Sequence, residues 1–483
     1  MITDSTKRES FLNFPRIIIS APYRSSGKTT LSIGLCVALT QSGLKVQPFK
    51  KGPDYIDPMW LSAASGRDCR NLDFFIMGED TVAKAFQWAV KDADLSIVEG
   101  NLGLYDGFDL HGSDTTSSLA RMLQIPIILV IDSRGMNRGV AALISGYQQF
   151  EPDIAISGII LNKVKGSRHE AKLRASIDHY CGVEVLGAMP DTPEAQIAER
   201  HLGLTPTREN RNLNSTIQVI AGLISKNINL NRVIEIGRSA PPLANLKKRG
   251  IKPTSAEIRL GVAKDPAFTF YYPENLAALQ TAGAELIPFN TFTDSHLPPV
   301  NGLYIGGGFP EIFIKELEEN GALREDIGSA IEEGMPIYAE CGGLMYLARS
   351  ISWDKTVGEM VGAIPCDIKM NKRPGGHGYV LLQETGKSPW HNFEMEIRGH
   401  EFHYSQVVDL GKVDYAYKVI RGTGIDGEHD GLVYNNVLAS YTHLHSYGAP
   451  QWAEQIVRFV KETGFNQRLF ASVSIEEERR YRL

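Results

Sequence analysis

No stretch of this chain approaches the roughly 20 consecutive apolar residues that cross a bilayer. The opening MITDSTKRESFLNFP also lacks the apolar core of a signal peptide and reads as a polar lead-in. Cysteine is scarce: five in 483 residues, Cys36, Cys69, Cys181, Cys341 and Cys366, too scattered for a disulfide framework or a zinc pattern. A reducing, cytoplasmic setting is expected. The net charge is −6 with no basic block, which gives neither nucleic acid nor an anionic membrane surface a footing. There are no internal repeats and no low-complexity segments. What is present is a soluble composition, 43% hydrophobic and 22% charged, in a chain too long for one ordinary core. Two domains are therefore expected.

From Pro15 onward, short apolar runs alternate with helix-length amphipathic stretches. Strands are expected at Arg16–Ser20, Lys45–Phe49, Leu95–Val98, Ile125–Ile131, Ser157–Leu161 and Glu184–Gly187. Continuous runs such as Ile127-Ile128-Leu129-Val130-Ile131 suit strands covered by helices on both faces. A doubly wound, mostly parallel α/β domain follows, with sites at the C-terminal ends of its strands. The pattern fades near Asn227, and residues 239–255, with Pro241, Pro242 and Pro253, read as a connection. A second α/β pattern begins at Ile258–Ala263 and continues through Ala284–Phe289, Gly302–Ile305 and Met335–Ala339. It becomes strand-rich after Ile364, up to Val437–Thr442, and closes with a helix near Trp452–Glu462. The expected divisions are thus a lead-in over 1–14, domains over 15–238 and 256–465, and a charged tail over 466–483.

A phosphate-binding loop is expected where the first strand runs through Ser25-Ser26-Gly27-Lys28-Thr29-Thr30 into a helical Leu31–Leu39. Backbone N–H groups would cradle phosphates there, Lys28 would neutralise β/γ charge, and the Thr29 hydroxyl would meet Mg²⁺. Pro22 stands where such loops usually have their first glycine and supplies no N–H, so the loop entry must differ. Asp54 and Glu99 each follow a strand and offer hard oxygens to the same ion. Lys50 is expected to contact phosphate or a substrate carboxylate, with a helix-start cation as the plain alternative. Asp57 is assigned to the same contact, with a cap residue as its alternative, and Lys51 would otherwise be solvated. Asn162, after a later strand, would read an adenine edge or simply end the strand.

In the second half, an apolar run ends at Cys341 and opens through Gly342 and Gly343 into a helical pattern. A thiol on such a turn is either a projecting nucleophile or a buried cysteine before a tight bend. Under the first reading, a helix N-terminus would favour the thiolate and the Gly342 N–H would face an oxyanion. Gly307 and Gly308, after the strand Leu303–Ile305, would supply the other N–H groups or form an ordinary flexible turn. His400, Glu401 and His403 lie on an alternating run, so a bulge would be needed for both histidines to share a face with the glutamate. They are read as shaping a cleft or a domain contact ahead of holding a metal.

Several strings occur together: Ser-Gly-Lys-Thr-Thr, Gly52-Pro53-Asp54-Tyr55-Ile56-Asp57, Asn71-Leu72-Asp73, Glu99-Gly100, Arg200-His201-Leu202-Gly203-Leu204, Cys341-Gly342-Gly343, Gly399-His400-Glu401-Phe402-His403-Tyr404 and Tyr441-Thr442-His443. In this order, from about Arg16 to Phe459, they resemble cobyrinic acid a,c-diamide synthases. The resemblance implies a dethiobiotin-synthetase-like domain fused to a flavodoxin-like class I glutamine amidotransferase domain. It implies ATP and Mg²⁺ as cofactors, and glutamine and a tetrapyrrole carboxylic acid as substrates. Cys341 would be the glutaminase nucleophile and His443 its base. The glutamate common two residues after that histidine is replaced by His445, as this subgroup tends to show. Departures at Pro22, Lys51 and Gly375-Gly376-His377-Gly378-Tyr379 leave siroheme or another sirohydrochlorin derivative as the alternative acid. A nucleotide-driven switch without amidation is the distant one. Oligomeric state is left open, a homodimer included.

Overall fold

The computed structural model describes residues 11–193, 197, 199–200, 203–209, 212–246, 255–388, 390 and 396–465. The expected tail over 466–483 lies outside the described residues, as do His201 and Leu202 and parts of the expected lead-in and connection. The chain divides into two compact units, Met1–Arg249 and Gly250–Leu483.

Seven strands form the sheet of the first unit, in the order Arg70–Leu72, Val46–Lys51, Leu95–Glu99, Arg16–Ser20, Ile127–Asp132, Ile156–Val164 and Val185–Pro190. Every pairing is parallel. Ile17, Ile18, Ile19 and Ile127 to Ile131 are fully buried, as strands covered on both faces must be. The helix Lys28–Gln41 begins directly after the phosphate loop. Helices also form where the pattern fades, at Leu213–Asn227 and Leu230–Arg238. Part of the expected connection belongs to this unit, because Leu243–Ala244 pairs antiparallel with Phe11–Leu12. Arg16 fastens it further. Its fully buried guanidinium donates to the carbonyls of Phe14, Leu123, Gln124 and Pro241.

The second unit is built on a ten-stranded sheet. Its first five strands, Ala284–Phe289, Ile258–Ala263, Gly302–Ile305, Ile337–Glu340 and Val437–Ser440, are mutually parallel. The next five run antiparallel: His429–Tyr434, Asp414–Arg421, Gly376–Glu384, Ile397–His403 and His443–Leu444. Cys341 leaves the parallel half at the end of Ile337–Glu340, while His443 stands on the last antiparallel strand. The short step from Val437–Ser440 to His443–Leu444 therefore links a central strand of the sheet to its last one. Among the described residues no helix is long and apolar enough to cross a membrane.

Candidate active site

In the first unit, the phosphate loop turns through two left-handed residues, Ser25 at φ +59° and Gly27 at φ +96°. A Cβ on Gly27 would stand 2.1 Å from Asn162 Nδ2, so both conformation and space demand glycine. Asn162 Nδ2 donates to the Ser26 carbonyl, and Lys163 Nζ to the Ser25 carbonyl. In this structure the Asn162 amide therefore braces the loop. Ser26 Oγ and Lys28 Nζ both reach the Tyr23 carbonyl, and Thr30 follows half-buried in the helix. Pro22 fits the altered entry: its carbonyl accepts from the Tyr147 hydroxyl at 2.9 Å.

Lys50 and Lys51 are not helix-start or solvated cations. The strand Val46–Lys51 runs past the expected Phe49 and buries both. Lys50 Nζ stands among three carboxylates, 2.5 Å from Asp57, 2.8 Å from Glu99 and 3.7 Å from Asp54. Thr29 Oγ1 lies 2.6 Å from Glu99 and 3.4 Å from Asp57. Asp57, rather than Asp54, is thus the aspartate beside Thr29. Asp54 spends one oxygen on the Ile56 and Asp57 amides at the helix start. Burial opposes the Lys50 ammonium, but Asp57, Glu99 and Asp54 outweigh it and hold its pKa well above the usual value. Burial, then Asp57, pushes Asp54 up to about 7. Burial, with Lys50 next, pushes Lys28 down to about 8. Two cations, Lys28 and Lys50, and three carboxylates, Asp54, Asp57 and Glu99, are thus crowded together beside the loop.

Among the described residues no group of three or more His, Cys, Asp or Glu side chains is arranged to hold a metal by itself. The Thr29 hydroxyl with Asp57 and Glu99 nevertheless makes a hard-oxygen set. Glu99 Oε2 is buried without a hydrogen-bond partner, an oxygen that Mg²⁺ would satisfy.

In the second unit, Cys341 has φ +46° and ψ −98°, a strained conformation for a side-chain-bearing residue. Its amide donates to the Ser440 carbonyl at 2.7 Å. The glycine turn closes on it: a Cβ on Gly342 would stand 3.0 Å from Gly308 N, and one on Gly307 would stand 2.4 Å from His443 Cε1. Gly307 thus faces the imidazole edge while Gly308 faces the turn carrying the thiol. The lowering expected from the helix start comes down to the Gly342 amide, and burial outweighs it. The helix Gly342–Leu347 has only six residues, and burial, helped by Glu311, pushes the Cys341 thiol well up. A proton acceptor is needed for it to attack.

His443 is clamped on both sides. The buried Asp430 carboxylate accepts from the Tyr441 and Thr442 amides and the Thr442 hydroxyl. Asn275 donates to the Leu444 carbonyl and accepts from the Ser446 amide. His400 lies directly across the strand pair, and its ring stacks on that of His443 at 5.0 Å and 20°. Glu401 shares the other face with His403, their polar atoms 3.7 Å apart, and accepts from the Thr423 and Gly424 amides. No bulge brings the three together.

Sequence reasoning passed over Glu340. Its Oε2 lies 3.4 Å from His443 Nδ1, and it is fully buried. The signal was available: a carboxylate closing an apolar strand one residue before the thiol is an ionisable group where burial is expected. His445, at the position usually held by glutamate, instead lies 3.7 Å from Glu274.

Comparison with known proteins matches a family to each unit. Residues 17–204 match the CobQ/CobB/MinD/ParA nucleotide binding domain, and residues 259–450 the CobB/CobQ-like glutamine amidotransferase domain. A cobyrinate a,c-diamide synthase of Magnetococcus marinus is 47% identical over 93% of this chain and 98% of its own. The chain belongs to the cobyrinate a,c-diamide synthase family. Another member, from Methanosarcina acetivorans, is 41% identical over 92% of this chain and 95% of its own. A glutamine amidotransferase of known structure covers 42% of this chain and 98% of its own at 19% identity, with a TM-score of 0.32. The chain is accordingly an enzyme of the glutamine-using carbon–nitrogen ligase type, an α/β protein with a nucleotide-binding and an amidotransferase domain.

Proposed function

We propose that this enzyme converts the a and c acetate carboxylates of cobyrinic acid to amides through acyl phosphates, with ammonia drawn from glutamine at Cys341. The observation that carries this is the match, over most of the chain, to relatives named for that reaction, in a chain with a phosphate loop in one unit and, in the other, a cysteine turn and a histidine that both meet the Gly307-Gly308 turn. A carboxylate does not accept ammonia at useful rates, because oxide would have to leave. Phosphorylation supplies a better leaving group. The substrate carboxylate oxygen attacks the γ-phosphorus of ATP, ADP departs, and ammonia then displaces phosphate from the acyl carbon. Lys28 and the loop amides neutralise and position the triphosphate, and Lys50 meets the developing charge. Thr29, Glu99 and Asp57, with Asp54 adjoining, would hold Mg²⁺, which when bound offsets phosphate charge.

At the other site, His443 takes the Cys341 proton as sulfur attacks the glutamine side-chain carbon. The Gly307, Gly308 and Gly342 amides face the oxyanion, and His443 passes the proton to the departing ammonia. Water hydrolyses the thioester and glutamate leaves. Gly307→Ala drives a methyl group against His443. It is expected to lower glutamine-driven turnover at least about 10-fold while the ammonia-driven rate stays near wild type. Parallel assays with the two nitrogen donors check this.

The substrate is tested by incubating the protein with cobyrinic acid, siroheme and sirohydrochlorin in separate reactions with ATP and glutamine. Two successive amide-for-acid mass changes on cobyrinic acid are expected. Efficient amidation of siroheme alone would refute the corrinoid assignment.

A further inference from the structure

We propose that Glu340 is the positioning residue for His443, doing from the residue before the nucleophile what a glutamate two places after the histidine does in related glutaminases. This rests on the Cys341–His443 reading above and deepens it. The strand Ile337–Glu340 pairs in parallel with Val437–Ser440, with Glu340 opposite Ser440, so the glutamate arrives beside the turn that leads to His443. Alternation along the strand puts Tyr338 and Glu340 on one face. The Tyr338 hydroxyl donates to Glu340 Oε1 at 3.0 Å, the Tyr304 hydroxyl to Oε2 at 3.3 Å, and the Leu444 amide to Oε1 at 3.2 Å. Burial and the neighbouring carboxylate hold both phenols well above their ordinary pKa, so they remain donors.

A carboxylate ringed by donors can only accept. The His443 nitrogen facing it, Nδ1, must then carry the ring proton, which leaves Nε2 as the base. The Nε2–Cε1 edge is the one that lies along Gly307. When Nε2 takes the thiol proton, the imidazolium gains a buried counter-charge 3.4 Å away, and that contact tightens. The other titratable groups near His443 are Cys341, His400, Asp430 and the His445–Glu274 pair. Burial, with His443 and His445 next, holds His400 well below its ordinary value. A neutral ring stacked on His443 leaves Glu340 as the anion that meets its positive form. Asp430 is committed to the Tyr441 and Thr442 amides, and Glu274 faces His445.

The test is Glu340→Gln, nearly isosteric: its carbonyl oxygen, in the Oε1 place, keeps the Leu444 amide and Tyr338 hydroxyl contacts, while its NH2 takes the Oε2 place facing Tyr304 and His443. Glutaminase kcat is expected to fall about 10²- to 10³-fold with KM for glutamine within about twofold. The acid limb of the pH profile should move down by about one unit, because the imidazolium has lost its anion. Glu340→Asp retains the charge, so its acid limb should stay in place while kcat falls about tenfold. A purely structural role predicts no movement of that limb in either variant. A folded Glu340→Gln protein with wild-type kcat and limb would overturn the proposal, as would a limb shifted equally by Glu340→Asp. If Cys341→Ala and His443→Ala are inactive on glutamine while Glu340→Gln is normal, only this inference fails. If those two variants still release glutamate, the underlying reading fails.

Discussion

Cys341→Ala is expected to abolish glutamine-driven amidation, by about 10⁴-fold or more, and to leave the rate with saturating ammonium chloride near wild type. The loss is large because nothing else described nearby replaces a nucleophile that forms a covalent thioester. Cys341 is held at φ +46°, between the Ser440 carbonyl and the glycine turn, and burial keeps its thiol protonated at rest. The small alanine side chain fits the same place, so the surrounding apolar cluster keeps its packing. Amidation from free ammonia needs only the activated carboxylate and is therefore spared. Parallel assays of glutamate release and product amide measure both arms. Loss of the ammonia-driven rate in a folded protein would show that the two chemistries are not separable.

Lys28→Ala is expected to remove amidation from either nitrogen source, by about 10³-fold, while basal glutaminase survives. Lys28 lies at the first turn of its helix, buried, near Lys50 and pushed down to about 8 by burial. Under the proposed mechanism, polyphosphate binding would relieve that crowding and draw the ammonium back to its charged form, so Lys28 would contribute where phosphoryl charge develops. Removing it leaves Lys50 engaged with Asp57 and Glu99 and unable to substitute. Phosphate release coupled to amide formation reports the loss. An unchanged rate would remove the loop from the reaction.

Most strands of the first-unit sheet and of the parallel half of the second were legible because they are continuous apolar runs, whereas the short edge strand Arg70–Leu72, which has no such run, was not expected. Arg16–Ser20, Ile258–Ala263, Ala284–Phe289 and Gly302–Ile305 fall where the sequence places them. Strand ends were less legible. Val46–Lys51 continues through two lysines, because the carboxylates that bury Lys50 come from the following turn and a neighbouring strand. Local propensity carries no trace of partners up to 49 residues away. The same holds for Asp54 and Asp57, where the helix start decides which one faces Thr29. Glu340 was hidden for a related reason. Linear spacing from His443 points to His445, while the carboxylate comes through a parallel strand pair about a hundred residues earlier in the chain. The fastening of Leu243–Ala244 to Phe11–Leu12 is equally non-local.

The central claim is that nitrogen freed from glutamine lands on a carboxylate first joined to phosphate. One mass-spectrometric experiment tests it: cobyrinic acid ¹⁸O-labelled in its acetate carboxylates, unlabelled ATP with Mg²⁺, and [amide-¹⁵N]glutamine. The account predicts that each new amide carries ¹⁵N and that each amidation releases one inorganic phosphate carrying one ¹⁸O. Phosphate free of ¹⁸O, or amides free of ¹⁵N, would contradict it.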